Sequence, residues 1–161
     1  MWIYKAEAML VIQLPDEAAT AVFAARIAAV AAAGDIIALK GDLGAGKTSF
    51  ARAFIRARGS EEAVPSPTFT LVQVYDVAPA AIWHFDLYRL NSPDEAWELG
   101  IEDAFSEAIS LIEWPERLGS LLPHRRLEIT LLFGDGPEER RAVLDTGEDW
   151  QRRLIGVIPG A

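Results

Sequence analysis

The sequence predicts an α/β fold, a three-layer P-loop domain with a mixed, mostly parallel sheet, and three observations predict it. Short apolar runs alternate with helix-like segments, the order expected when strands are joined by crossover helices. One run, Ile36-Ile37-Ala38-Leu39, lacks polar alternation and suits a strand buried on both faces. Directly after it, Gly41-Asp42-Leu43-Gly44-Ala45-Gly46-Lys47-Thr48 matches G-x-x-x-x-G-K-[ST].

The elements follow in order. Met9 to Leu14 reads as a short strand. Asp16 then opens an Ala-rich helix that runs to about Ala33 and is stopped by Gly34, with Val22, Phe23, Ile27 and Val30 on one face. Asp35 to Lys40 is the buried strand, and a helix from about Lys47 to Arg58 ends at Gly59. Ser66-Pro67-Thr68 starts a polar turn. Phe69 to Tyr75 and Ala81 to Phe85 read as strands joined at Pro79, followed by a helix from Pro93 to Leu99. Ala108 to Ile112 is a second apolar run that ends at Glu113, and Pro115 to Leu121 is a short helix. Leu127 to Phe133 and Arg140 to Leu144 form a hairpin around Gly134-Asp135-Gly136, and Glu148 to Leu154 adds a last helical turn or two. The hairpin makes the sheet mixed.

Composition narrows the classes. At 161 residues, of which 51% are hydrophobic, the expectation is a single domain, residues 1–161, with a proper core. A net charge of -9 argues against binding DNA or RNA directly. The basic doublets Arg125-Arg126, Arg140-Arg141 and Arg152-Arg153 all have acidic neighbours and read as solvated surface. The absence of cysteine removes disulfides, Cys-ligated zinc and thiol catalysis, and suits a cytoplasmic protein. No apolar stretch approaches the roughly 18–20 residues of a membrane span. Lys5 and Glu7, ahead of any apolar run, argue against a signal peptide.

Each position of the glycine-rich loop has a chemical task. Gly41 lets the chain leave the strand tightly, and Gly44 and Gly46 permit backbone angles and close approach that a side chain would block. The loop N–H groups converge on a phosphate, helped by the N-terminus of the next helix. Lys47 reaches the β- and γ-phosphates, and the Thr48 hydroxyl reaches Mg²⁺. A nucleotide and Mg²⁺ are therefore the expected ligands, with Asp42, Leu43, Ala45 and Ser49 counted in the binding set.

Such a loop needs a carboxylate at a neighbouring strand end to fix the metal. Asp86 ends Ile82-Trp83-His84-Phe85, and Glu113 ends Ile109-Ser110-Leu111-Ile112. Both sit where open α/β sheets place their ligands, and two acids can divide metal binding from proton or water handling. Hydroxyls of Ser66-Pro67-Thr68-Phe69-Thr70 are candidates to sense the γ-phosphate, though such residues are ordinary in turns. His84 shares a strand face with Asp86 and reads most simply as a packed or hydrogen-bonded histidine. Trp114 reads equally as core or as a residue beside the nucleotide or a partner.

Together these segments resemble the bacterial TsaE (YjeE) family, the ATPase of tRNA threonylcarbamoyladenosine synthesis. The resemblance is carried by the loop, by Ser66-Pro67-Thr68-Phe69-Thr70-Leu71-Val72, by His84-Phe85-Asp86-Leu87-Tyr88-Arg89-Leu90 and by Ile112-Glu113-Trp114-Pro115-Glu116, in that order, over roughly Leu14 to Phe133. It implies ATP and Mg²⁺ at Gly41 to Thr48, Thr48 and Glu113 on the metal, and Asp86 needed for hydrolysis; Asp86 also stays a metal candidate, directly or through water. It also implies a switch at Ser66 to Thr70 (with Thr68 among the catalytic candidates), Trp114 beside the site and Glu17 near the nucleoside. The implied partner is the TsaD–TsaB transferase pair, with tRNA engaged only indirectly and no DNA or membrane involved. ATP hydrolysis would reset that pair between turnovers. Ser49 departs from the second Thr common in relatives, but Thr48 still supplies the metal hydroxyl.

Three other classes stay open on the residues alone, one of them a binding module that holds nucleotide as a structural ligand without turnover. A GTP-binding switch would carry Asn-Lys-x-Asp and a later Asp-x-x-Gly, and neither is present. A small-molecule kinase would need an acceptor pocket and an Arg-bearing lid, for which only Arg89 and Arg117 are at hand.

Overall fold

The computed structural model describes residues 3–6, 9–67 and 69–159. The expected Thr68 role lies outside the described residues. Eight strands form one sheet: β1 (Ile3–Ala6), β2 (Met9–Leu14), β3 (Ile36–Lys40), β4 (Val72–Tyr75), β5 (Ile82–Asp86), β6 (Ile109–Glu113), β7 (Leu127–Phe133) and β8 (Arg140–Asp145). Their order is β1-β2-β8-β7-β3-β6-β5-β4. The four central strands, β7-β3-β6-β5, are parallel neighbours. Both flanks are antiparallel, so the sheet is mixed as the sequence predicts.

Strand alternation sends side chains to two opposite cores. Ile37 and Leu39 of β3, Ile82 of β5 and Ile109 and Leu111 of β6 pack beneath α1 (Glu17–Val30), α2 (Lys47–Ala57) and α5 (Glu148–Ile155). Ile36, Phe85 and Ile112 face the other way, onto α3 (Glu95–Glu98), α4 (Ile101–Glu107) and the 3₁₀ helix Pro115–Leu121. Burial on both faces of β3 explains why its sequence shows no polar alternation. The result is a three-layer α/β domain of the P-loop NTPase type.

Several elements depart in detail from expectation. Helix α1 starts as expected, with the Asp16 carboxylate accepting the Ala19 N–H at 2.8 Å. It ends at Val30, three residues before Ala33, because Arg58 from the end of α2 donates to the carbonyls of Ala28 and Ala31, both at 3.0 Å. Its buried stripe is Thr20, Phe23, Ala24, Ile27 and Ala28. Val22 is 47% exposed and does not belong to that face, and the small alanines let α2 approach, bringing the Phe23 and Phe50 rings to 5.6 Å. Strand β4 begins at Val72 because Leu71 has a φ of 67°, which breaks the extended run from Phe69. Helix α4 was not foreseen from the sequence. It is a one-sided turn entered through Gly100, whose φ is 82°, burying Ile101 and Ala104.

Candidate active site

The glycine-rich loop joins the end of β3 to the start of α2. Gly41 has a φ of 140°, and a Cβ there would lie 2.6 Å from the Leu131 carbonyl oxygen, so only glycine lets β3 pass this close to β7. Gly46 caps α2 with a φ of 111°. Helix α2 thus begins with its free N–H groups directed at the loop, which favours a bound anion.

Register brings the two acids together. Glu113, the last residue of β6, pairs with Leu39 of β3 on one side and Asp86 of β5 on the other. Alternation puts His84, Asp86, Leu111 and Glu113 on the α2 side of the sheet. All four are buried. Glu113 Oε1 and Oε2 accept from the Thr48 hydroxyl at 2.9 and 3.2 Å, and Glu113 Oε2 lies 2.6 Å from His84 Nε2. Asp86 Oδ1 accepts the Tyr88 N–H at 3.1 Å, which orients its carboxylate along the turn after β5.

Lys47 is folded over the loop. Its Nζ donates to the Gly41 carbonyl and to the Asp42 carbonyl at 3.0 Å, and lies 4.0 Å from the centre of the Trp114 ring. Burial holds the Lys47 ammonium below its usual pKa, opposed by the charges of Glu113, Glu116, Asp86 and Asp42. Trp114 is itself unusual, a non-glycine residue at φ 59°, and its ring also meets Tyr88 at 5.0 Å. Such a left-handed residue costs on the order of 1–3 kcal/mol and persists where surroundings fix it, commonly at functional sites.

A cavity of about 250 Å³ is lined by Lys47, Thr48, Ser66, Asp86, Glu113 and Trp114, together with Leu43, Gly44, Gly46 and Ser49. The structure therefore brings together the loop, both candidate acids, Trp114 and the start of the Ser66–Thr70 segment. That segment is tied to the site through the Leu71 carbonyl, which accepts the Asp86 N–H at 3.0 Å. Phe69 within it is 84% exposed, with the Arg89 guanidinium 4.7 Å from its ring centre. Glu17 stands apart from the acids. It lines a second cavity of about 180 Å³ on the other side of the loop, with Thr20, Gly44, Gly46, Ser49 and Arg140.

Arg140 corrects the reading of the basic doublets as solvated surface. Its guanidinium donates to Ala45 O at 3.1 Å, Gly44 O at 3.3 Å, Pro137 O at 3.0 Å and Glu139 O at 2.8 Å, over the Phe133 ring. Period-two alternation is the signal that would have found it, because Arg140 shares a face with buried Ala142 and Leu144. Arg126 pairs with Glu128, and Arg153 with Asp35 and Asp149, so one member of every doublet is a structural partner.

The oxygen donors of Thr48 and Glu113 suit Mg²⁺, which keeps waters and phosphate oxygens for its remaining positions. Among the described residues no group of three or more His, Cys, Asp or Glu side chains is placed to hold a metal ion. No helix among the described residues is long and apolar enough to cross a membrane.

Known proteins resemble the chain in sequence and in fold. The family model for threonylcarbamoyl adenosine biosynthesis protein TsaE matches residues 14–142. A tRNA threonylcarbamoyladenosine biosynthesis protein TsaE of Rickettsia bellii is 44% identical over 123 residues, covering 76% of this chain and 85% of that protein. A protein of the same name from Bacillus subtilis is 38% identical over 127 residues, covering 78% and 77%. Among solved structures, the crystal structure of Bacillus subtilis YdiB superposes with a TM-score of 0.78 at 27% identity, covering 98% of this chain and 96% of that one.

Proposed function

Because the chain belongs to the TsaE family, we propose that it is a Mg²⁺-dependent ATPase serving the threonylcarbamoyladenosine modification of tRNA. One observation carries the chemistry: Lys47 and Thr48 of α2, Asp86 of β5 and Glu113 of β6 line one cavity at the C-terminal ends of parallel strands. A structural nucleotide site would not need a second buried acid beside the metal pair.

The loop N–H groups and the N-terminus of α2 hold the phosphates. Lys47 exchanges the carbonyls of Gly41 and Asp42 for the β- and γ-phosphate oxygens, and there offsets the negative charge that builds as the bond to the β-phosphate breaks. Thr48 and Glu113 would hold Mg²⁺, which when bound neutralises phosphate charge. Asp86 accepts a hydrogen bond from the attacking water and fixes its direction at the γ-phosphorus; the products are ADP and inorganic phosphate. The Ser66–Thr70 segment, next to Leu71 whose carbonyl meets Asp86, reports the presence of the γ-phosphate to the surface, with Thr68 among its hydroxyls. Trp114 shields Lys47 from solvent, and Glu17 faces the nucleoside from the second cavity.

The whole chain acts as one domain in the cytoplasm, on a TsaD–TsaB transferase complex that holds the tRNA, so an acidic chain needs no nucleic-acid surface of its own. Titration of the purified chain with ATP and GTP, with and without Mg²⁺, tests the site. Mg²⁺-dependent ATP binding lost in Lys47→Ala is the expected result, and a clear preference for GTP contradicts it.

A further inference from the structure

We propose that His84 is the positioning residue of the Glu113 carboxylate, holding it in the orientation in which it meets Thr48. The inference rests on the reading of Thr48 and Glu113 as the Mg²⁺ pair and adds a residue that the pair depends on.

His84 is completely buried, in the middle of β5, where a packed apolar residue would satisfy the core. Its neighbours on that face are Ile82 and Asp86 on its own strand and Leu111 opposite it in β6, with Gln73 opposite it in β4. A polar ring in such a place costs free energy unless its nitrogens find partners. Nδ1 has no hydrogen-bond partner among the described residues, and Nε2 is 2.6 Å from Glu113 Oε2. Among the described residues, the one polar contact of this buried ring is with a single carboxylate oxygen.

The consequence lies in how Glu113 is held. Its two oxygens receive hydrogen bonds from two directions, Thr48 from the loop side and His84 from within the sheet. Thr48 sits in the first turn of α2, beside the glycine-rich loop, whereas His84 sits on a strand hydrogen-bonded on both sides. His84 thus holds the carboxylate from the sheet, independently of the loop. Without the Nε2–H bond only Thr48 restrains the carboxylate about its last torsion, which is broad and has no staggered minimum to stop it. An outer partner of this kind commonly contributes about 10–100-fold in metal affinity.

The test measures Mg²⁺ dependence of nucleotide binding, a readout separate from turnover. Binding of ADP to the full chain is titrated at a series of Mg²⁺ concentrations for wild type, His84→Gln, His84→Asn, His84→Leu and Glu113→Ala. Glutamine can place an N–H where Nε2 stands; the shorter asparagine cannot, and leucine has none. The expected result is a Mg²⁺ midpoint raised at least about tenfold in the Leu and Asn variants, substantially restored by Gln, with ADP binding in the absence of Mg²⁺ unchanged. If the Leu variant does not fold, the Gln and Asn pair makes the same comparison. A wild-type midpoint in the Asn or Leu variant, or a Gln variant no better than Asn, overturns the role of His84. If Glu113→Ala keeps the wild-type midpoint, or if wild-type binding ignores Mg²⁺, the Mg²⁺ reading of the site falls, and the inference falls with it.

Discussion

At the scale of single residues, the proposed division of labour between two buried acids is the sharpest claim. Glu113 accepts from the Thr48 hydroxyl, while Asp86 accepts from the Tyr88 N–H at the turn after β5. Asp86→Asn should therefore lower kcat by about 100-fold or more with ATP affinity within a few-fold of wild type. Single-turnover hydrolysis beside equilibrium binding checks this; a loss of affinity matched to the loss of rate would make Asp86 a binding residue instead. Lys47 gives a pH signature. Its folded-state pKa is depressed by burial, so the free protein gives up this proton at a lower pH than the ordinary 10.5. Below the depressed value the buried charge penalises the fold, and stability recovers as pH rises from there towards 10.5, since the unfolded chain then binds more protons. Phosphate binding needs the charged form, so ATP affinity should begin to fall with rising pH before 10.5 is reached. A binding curve that stays flat up to 10.5 would contradict burial as the dominant influence on Lys47.

At the scale of elements, the loop is held from a distance. Arg140, at the start of β8, anchors the carbonyls of Gly44 and Ala45 and couples the β7–β8 hairpin to the loop. Arg140→Ala should weaken nucleotide binding several-fold and lower Tm by a few degrees, in line with about 1 kcal/mol for partly exposed hydrogen bonds from a charged group. Thermal melts with and without ADP measure both effects, and unchanged nucleotide stabilisation would reduce Arg140 to a surface residue. A purely structural control is Asp16→Ala, which removes the α1 cap for about 1 kcal/mol and should leave the Mg²⁺ midpoint unmoved.

These elements also show what the sequence could reveal. Strands β2, β3 and β6 and helix α2 were legible because each carries a local mark: an unbroken apolar run, or a glycine loop on one side and Gly59 on the other. The acids were legible because each directly ends an apolar run. Arg140 was not, because its partners lie 95 and 96 positions away and its doublet looks like any charged surface. The end of α1 was hidden for the same reason, since Arg58 settles it from α2. Helix α4 was hidden because two buried residues in seven give too little periodicity to see. The contact of His84 with Glu113 needed the parallel pairing of β5 with β6, which no local pattern specifies.

At the scale of the whole molecule, the site occupies one end of the central parallel strands, and the segments expected to signal lie at its rim. Leu43, Phe69 and Tyr88 are exposed there, around a cavity whose inner wall is buried acid and lysine. That arrangement suits a nucleotide site whose state is read by another protein, in keeping with a family named for a step in tRNA modification. The most direct measurement is steady-state ATP hydrolysis by the chain alone, and then with the TsaD–TsaB pair and tRNA, in the presence and absence of Mg²⁺. The predicted result is slow Mg²⁺-dependent turnover by the chain alone, strong stimulation by the pair, and loss of that stimulated rate in Asp86→Ala. A rate that the transferase pair does not change, or one that survives Asp86→Ala intact, would contradict it.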